Sequence, residues 1–250
     1  MAYKLITKGS GGIVTRARGN MRGAIFDLDG TLADTAADLL GAANAVLAPR
    51  GLPLLELARD KSYAGRGARS MIRRSLSMME TPPAEPEVEA IADDLYPGLL
   101  IAYERRLADE TRLFDGVVGC LEALALAGWR MGVCTNKPER LAVMLLDSLG
   151  VLGRFGAVLG ADTLPVRKPD PEHLHETARR IGARSNLCVM LGDTQTDLLT
   201  ARAAGVPCVL TSFGFSAEPL EQLAADAVVC HFDEIAPVLE RLCPLPVKTA

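Results

Sequence analysis

Beyond Asp115-Gly116 the chain alternates between short apolar runs and stretches with helical spacing, and this alternation limits its fold more than any other feature. Residues 117–127 pattern as a helix stopped by Gly128, 130–135 as a buried strand, 138–149 as a helix and 157–160 as a strand. A helix over 171–181, a strand over 187–192, a helix over 196–204 and strands over 207–210 and 227–230 complete the series. Strands separated by helices are joined by crossovers rather than hairpins, which makes the sheet parallel and covers both its faces.

The run Ala24-Ile25 supplies a first strand, but the residues after it break the alternation. From 36 to 110 the pattern is helical only, with Leu39, Leu40, Ala43, Val46 and Leu47 at helix spacing, and Pro82-Pro83 and Pro97-Gly98 are expected to divide it into several short helices. The expected architecture is α/β, a Rossmann-like doubly wound parallel sheet core (21–35 and 111–250) with an α-helical cap (36–110) inserted after the first strand. Residues 1–20, polar and glycine-rich, read as a disordered leader. With 250 residues, 49% of them hydrophobic, the chain can bury a full core and an insert.

Composition removes several classes of function. A formal net charge of −4, with arginines scattered through helices, offers no field for nucleic acid. No apolar run approaches the roughly 20 residues of a membrane helix. The six cysteines form no C-x-x-C pair and read as reduced core residues of a cytoplasmic protein. Trp129 also reads as core, and His173, His175 and His231 as ordinary residues without a ligand partner, the first two on a helix surface.

The polar residues gather where such sheets bind ligands, beyond the carboxyl ends of the strands. The first strand runs into Phe26-Asp27-Leu28-Asp29-Gly30-Thr31-Leu32-Ala33-Asp34-Thr35, where i and i+2 send Asp27 and Asp29 to one side. Thr135-Asn136 ends the next strand, Lys168 follows the third in Arg167-Lys168-Pro169-Asp170-Pro171, and Gly192-Asp193 ends the fourth with Asp197 one turn later. Singly, each has a plain alternative: a helix cap for Thr135-Asn136, a surface charge for Lys168, an N-cap and a first-turn acid for Asp193 and Asp197. Together, at successive strand ends, they make a cradle for a magnesium phosphate.

These four motifs, in this order, resemble those of the haloacid dehalogenase-like phosphatase superfamily, over about residues 21–237. The resemblance implies Asp27 as nucleophile, Asp29 as general acid and base, Thr135 and Asn136 as holders of the phosphoryl group, and Lys168 as the neutralising cation. It implies Mg2+ held by Asp27, the main-chain carbonyl of Asp29 and Asp193, with Asp197 in support. The chemistry suits these groups: covalent transfer splits a hard displacement into two steps, and a cation and a lysine offset the repulsion between anions.

Gly65-Arg66-Gly67 in the insert, a glycine-flanked arginine ahead of a helix, reads as the substrate-binding element of a lid, whereas Arg73 and Arg74 read as a solvated basic face. With Thr135-Asn136-Lys137-Pro138-Glu139-Arg140, Gly160-Ala161-Asp162-Thr163 and Ala203-Ala204-Gly205-Val206-Pro207, this segment looks most like the phosphoglycolate phosphatase branch, whose substrate is 2-phosphoglycolate. Phe114-Asp115-Gly116, where a proline commonly stands between Phe and Gly, and Gln195-Thr196 ahead of Asp197, where an asparagine commonly stands second, depart from that branch. Alternatives on the same motifs are a sugar-phosphate phosphatase, for example of N-acetylmuramic acid 6-phosphate, a β-phosphoglucomutase-like mutase, and a non-catalytic phosphometabolite sensor. The expected partner is a small phosphorylated metabolite, with the chain a monomer or homodimer.

Overall fold

Gly23–Phe26 is buried on both faces and forms β1, the strand about which the sheet is built. The computed structural model describes residues 21–244, so the leader expected at 1–20 lies outside them. In chain order the elements are β1, β2 (Ala33–Asp34), α1 (Ala36–Leu47), α2 (Leu57–Ala64), α3 (Ala68–Ser77), α4 (Glu85–Arg105), β3 (Arg112–Leu113), α5 (Val117–Leu126) and β4 (Arg130–Cys134). They continue with α6 (Glu139–Ser148), β5 (Ala157–Leu159), α7 (Pro171–Arg180), β6 (Cys188–Gly192), α8 (Gln195–Ala204), β7 (Cys208–Thr211), α9 (Leu220–Leu223), β8 (Ala227–Val229) and α10 (Ile235–Leu242). Six strands pair in the order β5-β4-β1-β6-β7-β8, every pair parallel.

Alternation along the strands sorts the core into two layers. Ala24, Phe26, Val133, Leu191 and Val209 face α5, α6 and α10, whereas Ile25, Cys134, Met190, Cys208 and Leu210 face α7 and α8. This is the doubly wound arrangement. It sets the ends of β1, β4 and β6 side by side, since Phe26 is in register with both Val133 and Leu191.

Between β2 and β3 the described chain is helical. Asn44 brackets the turn after α1, exchanging two 2.9 Å hydrogen bonds with the backbone of Leu55. The break expected at Pro82-Pro83 falls between α3 and α4, but the one expected at Pro97-Gly98 does not occur, and α4 runs through both. Pro97 and the Asp93 carbonyl it leaves unpaired are on the exposed side, while Ala92, Leu95, Leu99 and Tyr103 form a buried stripe that keeps the helix packed on α1. Gly98 permits the close approach: a Cβ there would lie 3.3 Å from Val46.

Two other expectations are corrected. His173 is not a surface residue; it faces inward beside Leu174 and Thr177, with Nε2 3.1 Å from the Gly160 carbonyl. Burial and the nearby Lys168 push its pKa down to about 4, so the ring is neutral. Arg74 is not on a solvated face, because its Nε donates at 2.8 Å to the buried carboxylate of Asp60, which also accepts from Arg59 and the Glu56 N–H. Arg73 does pair with surface acids, Glu85 and Glu89. Trp129 is buried, its indole N–H 2.9 Å from Glu240. Five cysteines are buried as expected, but Cys230, also expected in the core, is exposed just past the end of β8; all six are free.

Chain entry to and exit from the helical segment are fastened together. The antiparallel ribbon of β2 and β3 joins them, and the buried carboxylate of Asp38, at the start of α1, accepts from the N–H groups of Glu110 and Thr111 and from the Thr111 hydroxyl at 2.8–3.0 Å. Asp38→Ala strands these donors and should lower stability by about 3 kcal/mol, measured by urea unfolding, while Asp38→Asn should cost less.

Candidate active site

Asp27 follows β1 directly, its N–H bonded to the Leu191 carbonyl of β6, which holds the acid at the sheet's carboxyl edge. Lys168, carried on the loop after β5, is buried and sends its ammonium to Asp27 at 3.0 Å and Asp197 at 2.7 Å. Asp197 is also the third residue of the α8 capping box: its other oxygen accepts from the Thr194 hydroxyl and the N–H groups of Thr194 and Asp193. Capping and charge pairing are thus one arrangement, in which Asp197 orients both Lys168 and Asp193.

Asp193 is fixed from two sides, by the Thr31 hydroxyl at 3.1 Å and by the N–H of Phe215 at 2.6 Å. Two glycines let the chain come this close. A Cβ on Gly30, whose φ is +81°, would lie 2.2 Å from Asp193 Oδ2, and one on Gly214 would lie 2.3 Å from Asp193 Cβ. Ligand atoms of Asp27, Asp193 and Asp197 lie within 4.8 Å of one another. The carboxylate of Asp29 is not in this cluster; both its oxygens accept from Lys137, at 2.9 and 3.0 Å.

The charges do not balance internally. Four buried or half-buried carboxylates (Asp27, Asp29, Asp193, Asp197) face two ammonium groups, Lys137 and Lys168, leaving the charge that one divalent cation would neutralise. Asp27 Oδ1, buried with the Lys168 ammonium as its one close partner, fits that role, as do the hard oxygen donors around it. Burial, followed in effect by Asp197 and Asp29, lifts the Asp27 carboxyl to about 6 against the opposing Lys168. Burial and the charges of Asp197 and Asp27 push Asp193 well above the usual carboxylate range. Burial opposes the charge on Lys168, but Asp197 and Asp27 more than restore it, and Asp29 does the same for Lys137.

Above this edge lies a cleft of about 130 Å³, walled on one side by the sheet ends and on the other by the helical segment. Asp27, Asp29, Thr135, Asn136 and Lys168 line it, as do Gly65, Arg66 and Gly67. The structure therefore brings the sequence-predicted catalytic and binding residues together, with Asp193 and Asp197 buried beneath. Asn136 braces the loop, its amide donating to the Lys168 carbonyl at 3.0 Å. Thr135 Oγ accepts from the Lys137 N–H at 3.2 Å, leaving its own proton free for a ligand. Arg66 reaches the cleft, but its guanidinium pairs with Glu218 at 2.9 Å. Gly65 sits where a Cβ would meet Phe215 at 2.9 Å, so the helical segment packs on the residue that holds Asp193.

Sequence reasoning missed Lys137, Tyr103 and Gly214-Phe215. Lys137 had a readable signal, two residues after Thr135 at a strand end. Tyr103 had none, since a tyrosine at helix spacing reads as core; burial pushes its phenol up to about 12, keeping it neutral.

The parallel sheet and its acid and lysine cluster agree with a family match: the chain belongs to the haloacid dehalogenase-like hydrolase family, whose model matches residues 24–211. It is 41% identical over 224 residues to the phosphoglycolate phosphatase of Caulobacter vibrioides, covering 88% of this chain and 93% of that protein. Identity to the phosphoglycolate phosphatase of Agrobacterium fabrum is 39% over 216 residues, 86% of this chain and 91% of that one. A crystal structure described as a predicted phosphoglycolate phosphatase from Haemophilus somnus 129PT matches with a TM-score of 0.76 at 26% identity, over 89% of this chain and 99% of that one.

The metal-free fold should be pH-sensitive. A folded-state pKa of about 6 for Asp27, raised from 3.8, gives stability that is full below about pH 4 and is lost as pH rises through 6. Tm of chelated protein should fall over that window, and excess divalent cation should abolish the fall. Asp193→Asn should raise Tm of the chelated protein and remove most of the cation's effect.

Proposed function

We propose that this chain is a magnesium-dependent phosphatase that hydrolyses a small phosphate monoester, 2-phosphoglycolate, to glycolate and phosphate through an aspartyl-phosphate at Asp27. The observation that carries the reading is the contact of Asp27 with Lys168 at 3.0 Å inside a three-carboxylate cluster, at the mouth of a small cleft. The names of the Caulobacter and Agrobacterium relatives support the substrate, as does the size of the cleft, below the roughly 300–1,000 Å³ of pockets for drug-sized ligands. The reading places the enzyme in the cytoplasm, acting on a soluble metabolite as a monomer or homodimer. No helix among the described residues is long and apolar enough to cross a membrane.

In this proposal Asp27, the Asp29 carbonyl and Asp193 would hold Mg2+, which would supply charge neutralisation for the phosphoryl group. Lys168 neutralises a further oxygen and keeps Asp27 ionised for attack on phosphorus. The Thr135 hydroxyl and the backbone beside Asn136 hold the phosphoryl group in line with Asp27. Asp29 gives a proton to the departing alkoxide and later takes one from the water that attacks the phosphoaspartate. Residues 36–110 act as a lid over the core, excluding bulk water, with Gly65, Arg66 and Gly67 at its contact face.

The test is phosphate release from 2-phosphoglycolate, N-acetylmuramic acid 6-phosphate, other sugar phosphates and nucleoside monophosphates, with Mg2+ and with chelator. Selective, Mg2+-dependent release from 2-phosphoglycolate is expected. Preference for a sugar phosphate would overturn the substrate and keep the chemistry, and a requirement for an activating bisphosphate would indicate a mutase. Asp27→Asn should lower kcat by at least about 10³-fold with the fold intact by circular dichroism.

A further inference from the structure

Lys137 is the buried cation that the phosphoryl chemistry does not use. Its ammonium has three N–H donors; two go to the Asp29 carboxylate, and the third is left to Tyr103 and the cleft. It lies 4.2 Å from the ring centroid of Tyr103, whose hydroxyl has no partner at normal hydrogen-bond distance although the residue is 1% exposed and lines the cleft. A buried ammonium and a buried phenol, neither with its full set of hydrogen bonds, thus meet in one wall.

Their position decides which part of a ligand they touch. Asp29, as proton donor to the ester oxygen, marks the leaving-group side of the cleft, and Lys137 is within 3.0 Å of it. Lys168, by contrast, is on the Asp27 side, where the phosphoryl group sits. Arg66, the sequence-based candidate for substrate binding from the lid, is half-exposed and already paired with Glu218. Burial makes Lys137 the stronger partner for an anion, because a charge pair shielded from water gains more than one at the rim.

We propose that Lys137 and Tyr103 are the specificity-determining pair of this site, binding a carboxylate on the alcohol portion of the substrate through the third ammonium N–H and the phenol O–H. The inference rests on the phosphatase reading above and deepens it: the enzyme selects phosphate esters of small hydroxy acids over esters of neutral alcohols of the same size.

The experiment compares 2-phosphoglycolate with ethyl phosphate, which lacks the carboxylate, in wild type, Lys137→Met and Tyr103→Phe. The ratio of kcat/KM for the two substrates should fall roughly 10- to 100-fold in Lys137→Met. Tyr103→Phe should show a smaller fall, carried mainly by KM. Loss of the Lys137 contact to Asp29 slows both substrates alike and cancels in the ratio, so an unchanged ratio would reduce Lys137 to a positioning residue and overturn the proposal. Equilibrium binding of both esters to Asp27→Asn, with and without Lys137→Met, reads the same selectivity without turnover. If wild type releases no phosphate, the phosphatase reading fails, while the binding ratio still decides for or against the carboxylate site.

Discussion

The site depends on one buried ammonium group. Lys168 is held between Asp27 and Asp197, and without it three carboxylates would be confined out of water with nothing of opposite charge among them. Removing one member of such a group leaves an uncompensated buried charge, which costs far more than a surface pair is worth. The fold makes this contact by joining three strand ends: Asp27 follows β1, Lys168 the strand β5 on one side, and Asp197 the strand β6 on the other. A parallel sheet with helices on both faces puts these ends at one edge, so topology rather than local sequence brings the charges together.

Lys168 does not finish the neutralisation. The remaining negative charge is anchored by groups that cannot easily move: a threonine hydroxyl, a backbone N–H from Phe215 and two glycines packed against Asp193. A carboxylate held this firmly before any cation arrives pays little to reorganise when one binds. The cost appears elsewhere, as raised carboxyl pKa values at Asp27 and Asp193 and as a metal-free fold that tolerates acid better than neutral pH at these two groups.

Much of this was legible in the sequence because its signals are local. Strand and helix periodicity fixed the sheet; Asp27, Asp29, Thr135 and Asp193 each sit within three residues of a strand end, Asp197 lies one helical turn further on, and Lys168 is in the loop after β5. What escaped reading depends on distant packing. Pro97 breaks a helix by local rules, yet α4 continues because its opposite face is buried on α1. His173 and Arg74 carry polar side chains that local rules send to the surface, and each turns inward to a partner far along the chain, Gly160 and Asp60. Tyr103 becomes part of the cleft only because α4 reaches across to Lys137. The arginine of the Gly65-Arg66-Gly67 loop lines the cleft, but nothing local foretells its pairing with Glu218.

The ribbon of β2 and β3 brings the two ends of the helical insert side by side, and Asp38 locks them there. To the sheet, everything between those ends is a single excursion whose closure is already made. Closure entropy grows only with the logarithm of loop length, so the sheet is nearly indifferent to how long or how elaborate that excursion is. The sheet edge can therefore keep its strict geometry of four carboxylates and two lysines while the insert above it is lengthened, shortened or replaced at a junction two residues wide on each side.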